Sequence, residues 1–199
     1  MKKIFVALLA LLLCLTAVAC SKETPSDDKK TETNTPAKES HWSSEYYTDE
    51  FGDATSMGYI RGLFEGTFSN SATNGSDLQA CLFMEKNMTG TTGNLDMITI
   101  RLLEYGHSKA SFIGCDYSDV EIKVKINGVV TSDTADYLYE DSGEIVITKY
   151  NDVYEAVINA LNANQDIAFV ITVGGYGTST YRFDVDTYGL SSISHSWSV

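Results

Sequence analysis

Beyond residue 40 the chain is patterned mostly with a period of two. In Val120–Asn127, Val120, Ile122, Val124 and Ile126 fall on one face, and Glu121, Lys123, Lys125 and Asn127 on the other. That is the pattern of a strand with one wet face, and Gly128 follows as a turn residue. Met97–Leu103 carries the same signature, with Asn94 and Gly106 as punctuation. The segment Asp166–Val173 is apolar on both faces, which predicts a central strand. Gly174-Gly175-Tyr176-Gly177 then turns the chain into Ser179–Asp186, where Tyr181, Phe183 and Val185 share a face, so the two segments read as a hairpin. Weaker strands are expected over 42–48, 58–68, 78–86, 110–115, 137–140 and 144–148.

One stretch changes period. Val153, Ala156, Val157, Ala160 and Leu161 follow the i, i+3, i+4, i+7, i+8 stripe of an amphipathic helix. Asp152 and Glu155 have the spacing of a capping box, so the helix is placed over 152–163. A short helical turn is expected near Tyr188–Ile193. Many short strands with one helix make the chain mainly β: a β-sandwich or a partly open barrel of antiparallel strands. No internal repeat is present.

The first forty residues are of another kind. Lys2-Lys3 precede an apolar run from Ile4 to Leu15, followed by small residues at Ala17 and Ala19. This is the layout of a secretory signal over 1–19, and the run falls short of the ~20 apolar residues that span a bilayer. Residues 20–40 contain one alanine and no larger apolar side chain after Cys20, together with both prolines, Pro25 and Pro36. Such a segment cannot bury enough surface to offset its ordering entropy and reads as a disordered tether. The remaining 41–199 form a single β-rich domain, long enough for one substantial core.

Charge and cysteine narrow the classes. Eight basic and 22 acidic side chains fall within 41–199, a net charge near −14. That balance repels nucleic acid and suits a cationic partner better than an anionic one. Cys81 and Cys115 are the two cysteines of the domain. In an exported protein they form either a disulfide or two separately buried thiols. Neither has the C-x-x-C spacing of a redox or zinc site.

Catalytic motifs are missing: there is no G-x-S-x-G elbow, H-E-x-x-H pair, phosphate loop or EF-hand spacing. His41, His107 and His195 lie far apart in sequence, and no catalytic residue is assigned. Asp49, Glu50 and Asp53 surround Gly52, a set of hard oxygens of the kind Ca²⁺ takes; ordinary turn chemistry is the alternative. No other cofactor is implied. Trp42, Tyr46, Tyr47 and Tyr176 are candidate ligand-contact aromatics, because exposed Tyr and Trp stack on sugars and anchor protein partners.

Leu15-Thr16-Ala17-Val18-Ala19-Cys20 resembles the end of a bacterial lipoprotein signal. The resemblance implies cleavage before Cys20 and a lipid on its thiol, although Ala17 stands where such signals usually carry Leu. Cleavage by an ordinary signal peptidase would instead leave a secreted protein with a free N-terminal thiol. Asp49–Asp53, Gly66–Thr73, Leu103–Gly106 and Tyr181–Asp184 resemble small bacterial lipoproteins and secreted proteins with an uncharacterised β domain, and are loosely similar to the invasion-associated locus B type of β-sandwich. The expectation is a palmitate-bearing protein of the cell envelope, on the cell membrane or outer membrane with its domain on the extracytoplasmic side. It would bind an extracytoplasmic protein or glycan without catalysis. A hydrolase of envelope or extracellular polymers and a scaffold subunit of an envelope complex stand as alternatives.

Overall fold

A computed structural model describes residues 38–87, 92–94, 97–116, 119–193 and 196–198. The signal segment, Cys20 and most of the tether lie outside the described residues, as does His195. From Lys38 onward the chain is one compact unit.

The strands are β1 (Trp42–Thr48), β2 (Ala54–Ser69), β3 (Asn74–Asn87), β4 (Thr92–Asn94), β5 (Met97–Glu104), β6 (Ser108–Lys109), β7 (Val120–Ile126), β8 (Val129–Thr134), β9 (Asp136–Tyr137), β10 (Glu144–Thr148), β11 (Ile167–Val173), β12 (Ser179–Val185) and β13 (Ser196–Ser198). The helices are α1 (Asp152–Asn162) and α2 (Leu190–Ile193). Nine strands form an antiparallel sheet in the order β8-β7-β11-β12-β2-β3-β5-β10-β9, nearly closed into a barrel. Of the two architectures expected, the partly open barrel is the one adopted. β1 adds to β2 beyond the end of β12, and β6 adds to β5.

The two free ends of the sheet, β8 and β9, are consecutive in sequence and separated only by Ala135, whose N–H donates to Val120 O at 2.9 Å. Helix α1 packs against β7 and β8 from one end of the sheet and β10 from the other, and so covers the seam. This explains why its buried face, Val153, Tyr154, Val157, Ile158, Ala160 and Leu161, is wider than the expected stripe. Helix α1 starts one residue earlier than a capping box with Asp152 as its N-cap requires, which corrects that expectation. Asn151 is the N-cap and makes no side-chain cap bond. Its Oδ1 accepts the Thr148 N–H and hydroxyl at 2.7 and 3.1 Å, while Asp133 Oδ2 in β8 accepts the Asp152 N–H at 2.7 Å.

Alternation puts Ile60, Phe64, Phe68, Leu82, Met84, Ile98, Ile100, Ile122, Phe169 and Phe183 inside, with Tyr154 of the helix. Phe169 and Phe183, opposite each other on β11 and β12, stack at 4.9 Å. Two glycines of β2 let this interior close. A Cβ on Gly62 would lie 2.6 Å from the Phe64 ring and 2.8 Å from Trp42, which make a T-shaped pair at 5.2 Å. A Cβ on Gly66 would lie 2.2 Å from Arg182 O, so β2 and β12 approach there only because the side chain is missing.

Two expected strands are corrected, and one strand was not expected. The strand expected over 110–115 forms no ladder, although burial alternates from Ala110 to Ile113. Ala110 N–H donates to Leu102 O and Phe112 N–H to Glu140 O, so this is an extended loop that buries Phe112 in the core. The strand expected over 137–140 ends at Tyr137, and Tyr139–Ser142 turn through a hydrogen bond at 3.1 Å. β8 was not expected at all. It is an edge strand joined to β7 by Asn127-Gly128, both at positive φ (49° and 86°) as a type I′ turn requires.

Candidate functional site on the outer wall

Because the barrel interior is occupied by its own side chains, the outer wall is where a ligand can be met. The outward positions of β2, β3 and β5 are unlike those of an ordinary wet face. Tyr59 and Leu63 of β2, Cys81 and Phe83 of β3, and Met97 of β5 all point away from the core. Of these, Tyr59, Phe83 and Met97 line a groove of about 350 Å³ with Tyr47 of β1, Glu85, Thr99, Arg101, Glu144 of β10 and Leu138. That volume lies at the small end of the range ordinary for ligand pockets, roughly 300–1,000 Å³.

Register assembles the groove. Tyr59 lies opposite Glu85, Phe83 opposite Thr99, and Arg101 opposite Glu144. Tyr47 and Tyr59 have ring centroids 5.5 Å apart, tilted 46°, and Tyr59 and Phe83 are 5.9 Å apart at 61°. The Arg101 guanidinium lies 5.0 Å from the Phe83 centroid. Its Nε donates to Glu144 Oε1 at 2.8 Å and its Nη2 donates to the same oxygen. Tyr47 Oη donates to Glu85 Oε1 at 2.8 Å, and Tyr59 Oη to Glu45 Oε2 at 2.5 Å. Arg61 completes the set 3.2 Å from Glu45.

These contacts keep both phenols protonated. Burial, with the Glu85 carboxylate beside it, pushes the Tyr47 hydroxyl up to about 12. The hydrogen bond to Glu45, with some burial, raises that of Tyr59. Cys81 sits beside the groove, and burial raises its thiol against the opposing pull of Arg101 and Arg61.

Of the aromatics singled out in the sequence, Tyr47 alone joins the groove. Trp42 is 5 % exposed, packs on Phe64, and donates its indole N–H to Asp186 O at 2.7 Å, so it is a core residue. Tyr46 is half exposed on β1 but does not line the groove. Tyr176 is 91 % exposed at the tip of the β11–β12 turn, its ring beside Gly114. Tyr181 is buried in the core and donates to Glu104 Oε1 at 2.8 Å.

Asp49, Glu50 and Asp53 lie in the β1–β2 turn. Asp49 Oδ1 accepts the N–H groups of Phe51 and Asp53 at 2.9 and 3.0 Å, so its carboxylate is turned onto its own backbone. Among the described residues no group of three His, Cys, Asp or Glu side chains is arranged to hold a metal ion. His107 Nδ1 lies 2.8 Å from Tyr105 O, and the His41 ring lies 5.8 Å from that of Phe64. Cys81 and Cys115 are separate buried thiols. Cys81 is on the outer face of β3, whereas Cys115 lies in the end loop, where its Sγ donates to Gly174 O at 3.1 Å.

Tyr59, Phe83, Arg101, Glu144, Met97 and Leu138 were not singled out in the sequence. The available signal was aromatic or apolar residues at the outward positions of alternating strands. Comparison with protein-family models, curated proteins and solved structures found no match.

Proposed function

We propose that the protein is an anchored extracytoplasmic binding module, held to a membrane by lipid on Cys20 through the 20–40 tether, and that the outer-wall groove is its ligand-contact surface. The observation that carries this reading is the partly exposed strip Tyr47–Tyr59–Phe83 on the outer wall, where a barrel ordinarily presents polar side chains. Its polar atoms are held in place by hydrogen bonds before any ligand arrives, which lowers the ordering cost of binding. The groove also contains two carboxylates, Glu85 and Glu144, as a hydrolase would need. Glu144 is committed to Arg101 and Glu85 to the Tyr47 hydroxyl, which favours binding over proton transfer.

The test uses the chain from residue 20 onward carrying Cys20→Ser, immobilised and exposed to envelope extract and a glycan array. A retained ligand that is lost with Tyr59→Leu but kept with Tyr176→Ala supports the groove. Turnover of a polymer with nothing retained would overturn the reading in favour of a hydrolase. For the anchor, a clickable palmitate should label the wild-type chain in cells and fail to label Cys20→Ser. Labelling that survives the substitution would move the acyl site elsewhere.

A further inference from the structure

We propose that the groove recognises an organic cation, the ammonium or guanidinium head of its ligand, seated against Tyr47 and Tyr59 beside Glu85. This inference rests on the groove being the ligand-contact surface. The negative face of an aromatic ring attracts a cation within about 6 Å of its centroid, and several rings set at angles surround one better than a flat platform does. Here the three rings are tilted 46° and 61° to their neighbours, so they wall a cleft.

Both phenols donate their O–H to a carboxylate. A hydroxyl polarised in this way pushes electron density into its ring and strengthens the cation-attracting face. It is also no longer free to donate to the hydroxyls of a sugar. The groove already holds one cation of its own, with Arg101 on Phe83 5.0 Å from the centroid. The charge of Arg101 is compensated by Glu144, so Glu85 leaves the lining one negative charge in excess. With eight basic against 22 acidic side chains over 41–199, the wider field also draws cations in and repels anions. Arg101 takes Phe83, which leaves the Tyr47–Tyr59–Glu85 end for the ligand.

Choline and 3,3-dimethylbutanol, alike in shape but differing in charge, make the test, read by NMR titration of the Cys20→Ser chain. Choline should shift resonances of Tyr47, Tyr59 and Glu85, and the neutral analogue should bind at least about tenfold more weakly, a difference of ~1.4 kcal/mol. Choline binding should fall with Tyr59→Leu and Glu85→Gln, fall less with Tyr59→Phe than with Tyr59→Leu, and weaken as salt is raised. The unchanged spectrum of distant core residues in each variant reports that it is folded. Equal binding of choline and its analogue, binding that survives Tyr59→Leu, or groove shifts from neutral disaccharides but not from choline would each overturn the proposal. Envelope capture separates the two levels. Capture lost with Tyr59→Leu yet insensitive to choline competition refutes the cation alone, whereas capture indifferent to Tyr59→Leu refutes the groove itself.

Discussion

Arg101→Met tests how the groove is held together. The substitution keeps most of the side-chain volume but removes the Nε and Nη2 bonds to Glu144 Oε1 and the cation from the face of Phe83. An exposed ion pair would lose at most about 1 kcal/mol. Here the two ends differ: the Arg101 side chain is 40 % exposed, but that of Glu144 is only 13 %. What remains after the substitution is a mostly buried carboxylate without its donors, which costs about 1–3 kcal/mol. For a chain of this size that corresponds to a fall of roughly 3–10 °C in Tm. Glu144→Gln alone should cost less, because its amide oxygen still accepts from Arg101. The double variant Arg101→Met/Glu144→Gln, which leaves no uncompensated charge, should recover about half the loss of Arg101→Met. Thermal melts followed by circular dichroism at neutral pH check all three. An Arg101→Met chain melting within 1 °C of wild type, or a double variant showing the plain sum of the single effects, would mean that the pair is solvated and does not shape the groove.

Gly66→Ala should destabilise by about 1–3 kcal/mol through the clash with the backbone of Arg182, whereas Gly177→Ala, with open space around it, should stay within about 0.5 kcal/mol; the same melts read both. Cys81 and Cys115 should resist thiol reagents in the native Cys20→Ser chain and yield two free thiols on denaturation, without any reductant. A single thiol-free species would instead reveal a disulfide. Tyr47 is raised in the folded state, so its contribution is fully present below the ordinary tyrosine value of about 10 and is lost as pH rises toward about 12. Tyrosine absorbance should therefore show a late-titrating fraction that Glu85→Gln moves earlier, and stability should decline across that alkaline window.

Alternation was enough to find the strands whose inner faces are full. β5, β7, β11 and β12 lie within a residue or so of where the period of two places them, because each inward side chain is buried and a slip of one residue would expose the whole set. The pattern failed where burial and hydrogen bonding part company. Residues 110–113 alternate, burying Ala110 and Phe112, yet only Ala110 N–H reaches a strand, at Leu102 O of β5, while Phe112 N–H goes to Glu140 O, so a strand-like pattern belongs to a loop. β8 is the converse case. Its Val129 and Val130 are exposed and its ladder lies on the rim of the barrel, so no inner face writes a pattern into it. Asn127-Gly128 was the legible sign, since that pair at positive φ asks for a second strand immediately after it.

The groove was harder to see because its parts lie between residues 47 and 144 and only register brings them together. Sequence can say that Tyr59 and Phe83 point outward; it cannot say that they point outward side by side. The contrast within one barrel then bears on function. The wall made by β7 and β12 presents Glu121, Lys123, Lys125, Arg182 and Asp184, including the exposed pair Lys123–Glu121 at 2.8 Å. The wall made by β2, β3 and β5 presents Tyr59, Leu63, Cys81, Phe83 and Met97 among its polar outward residues Arg61, Glu65, Gln79, Glu85, Thr99 and Arg101. Folding and solubility act alike on both walls, because both close over the same core and both meet water. Aromatic preference for sheets would likewise spread rings over both. That contrast supports the proposed ligand contact on the aromatic wall. The polar members of the aromatic wall are each tied to it: Glu45 and Glu85 accept from the Tyr59 and Tyr47 phenols, and Glu144 holds the Arg101 guanidinium that lies over Phe83.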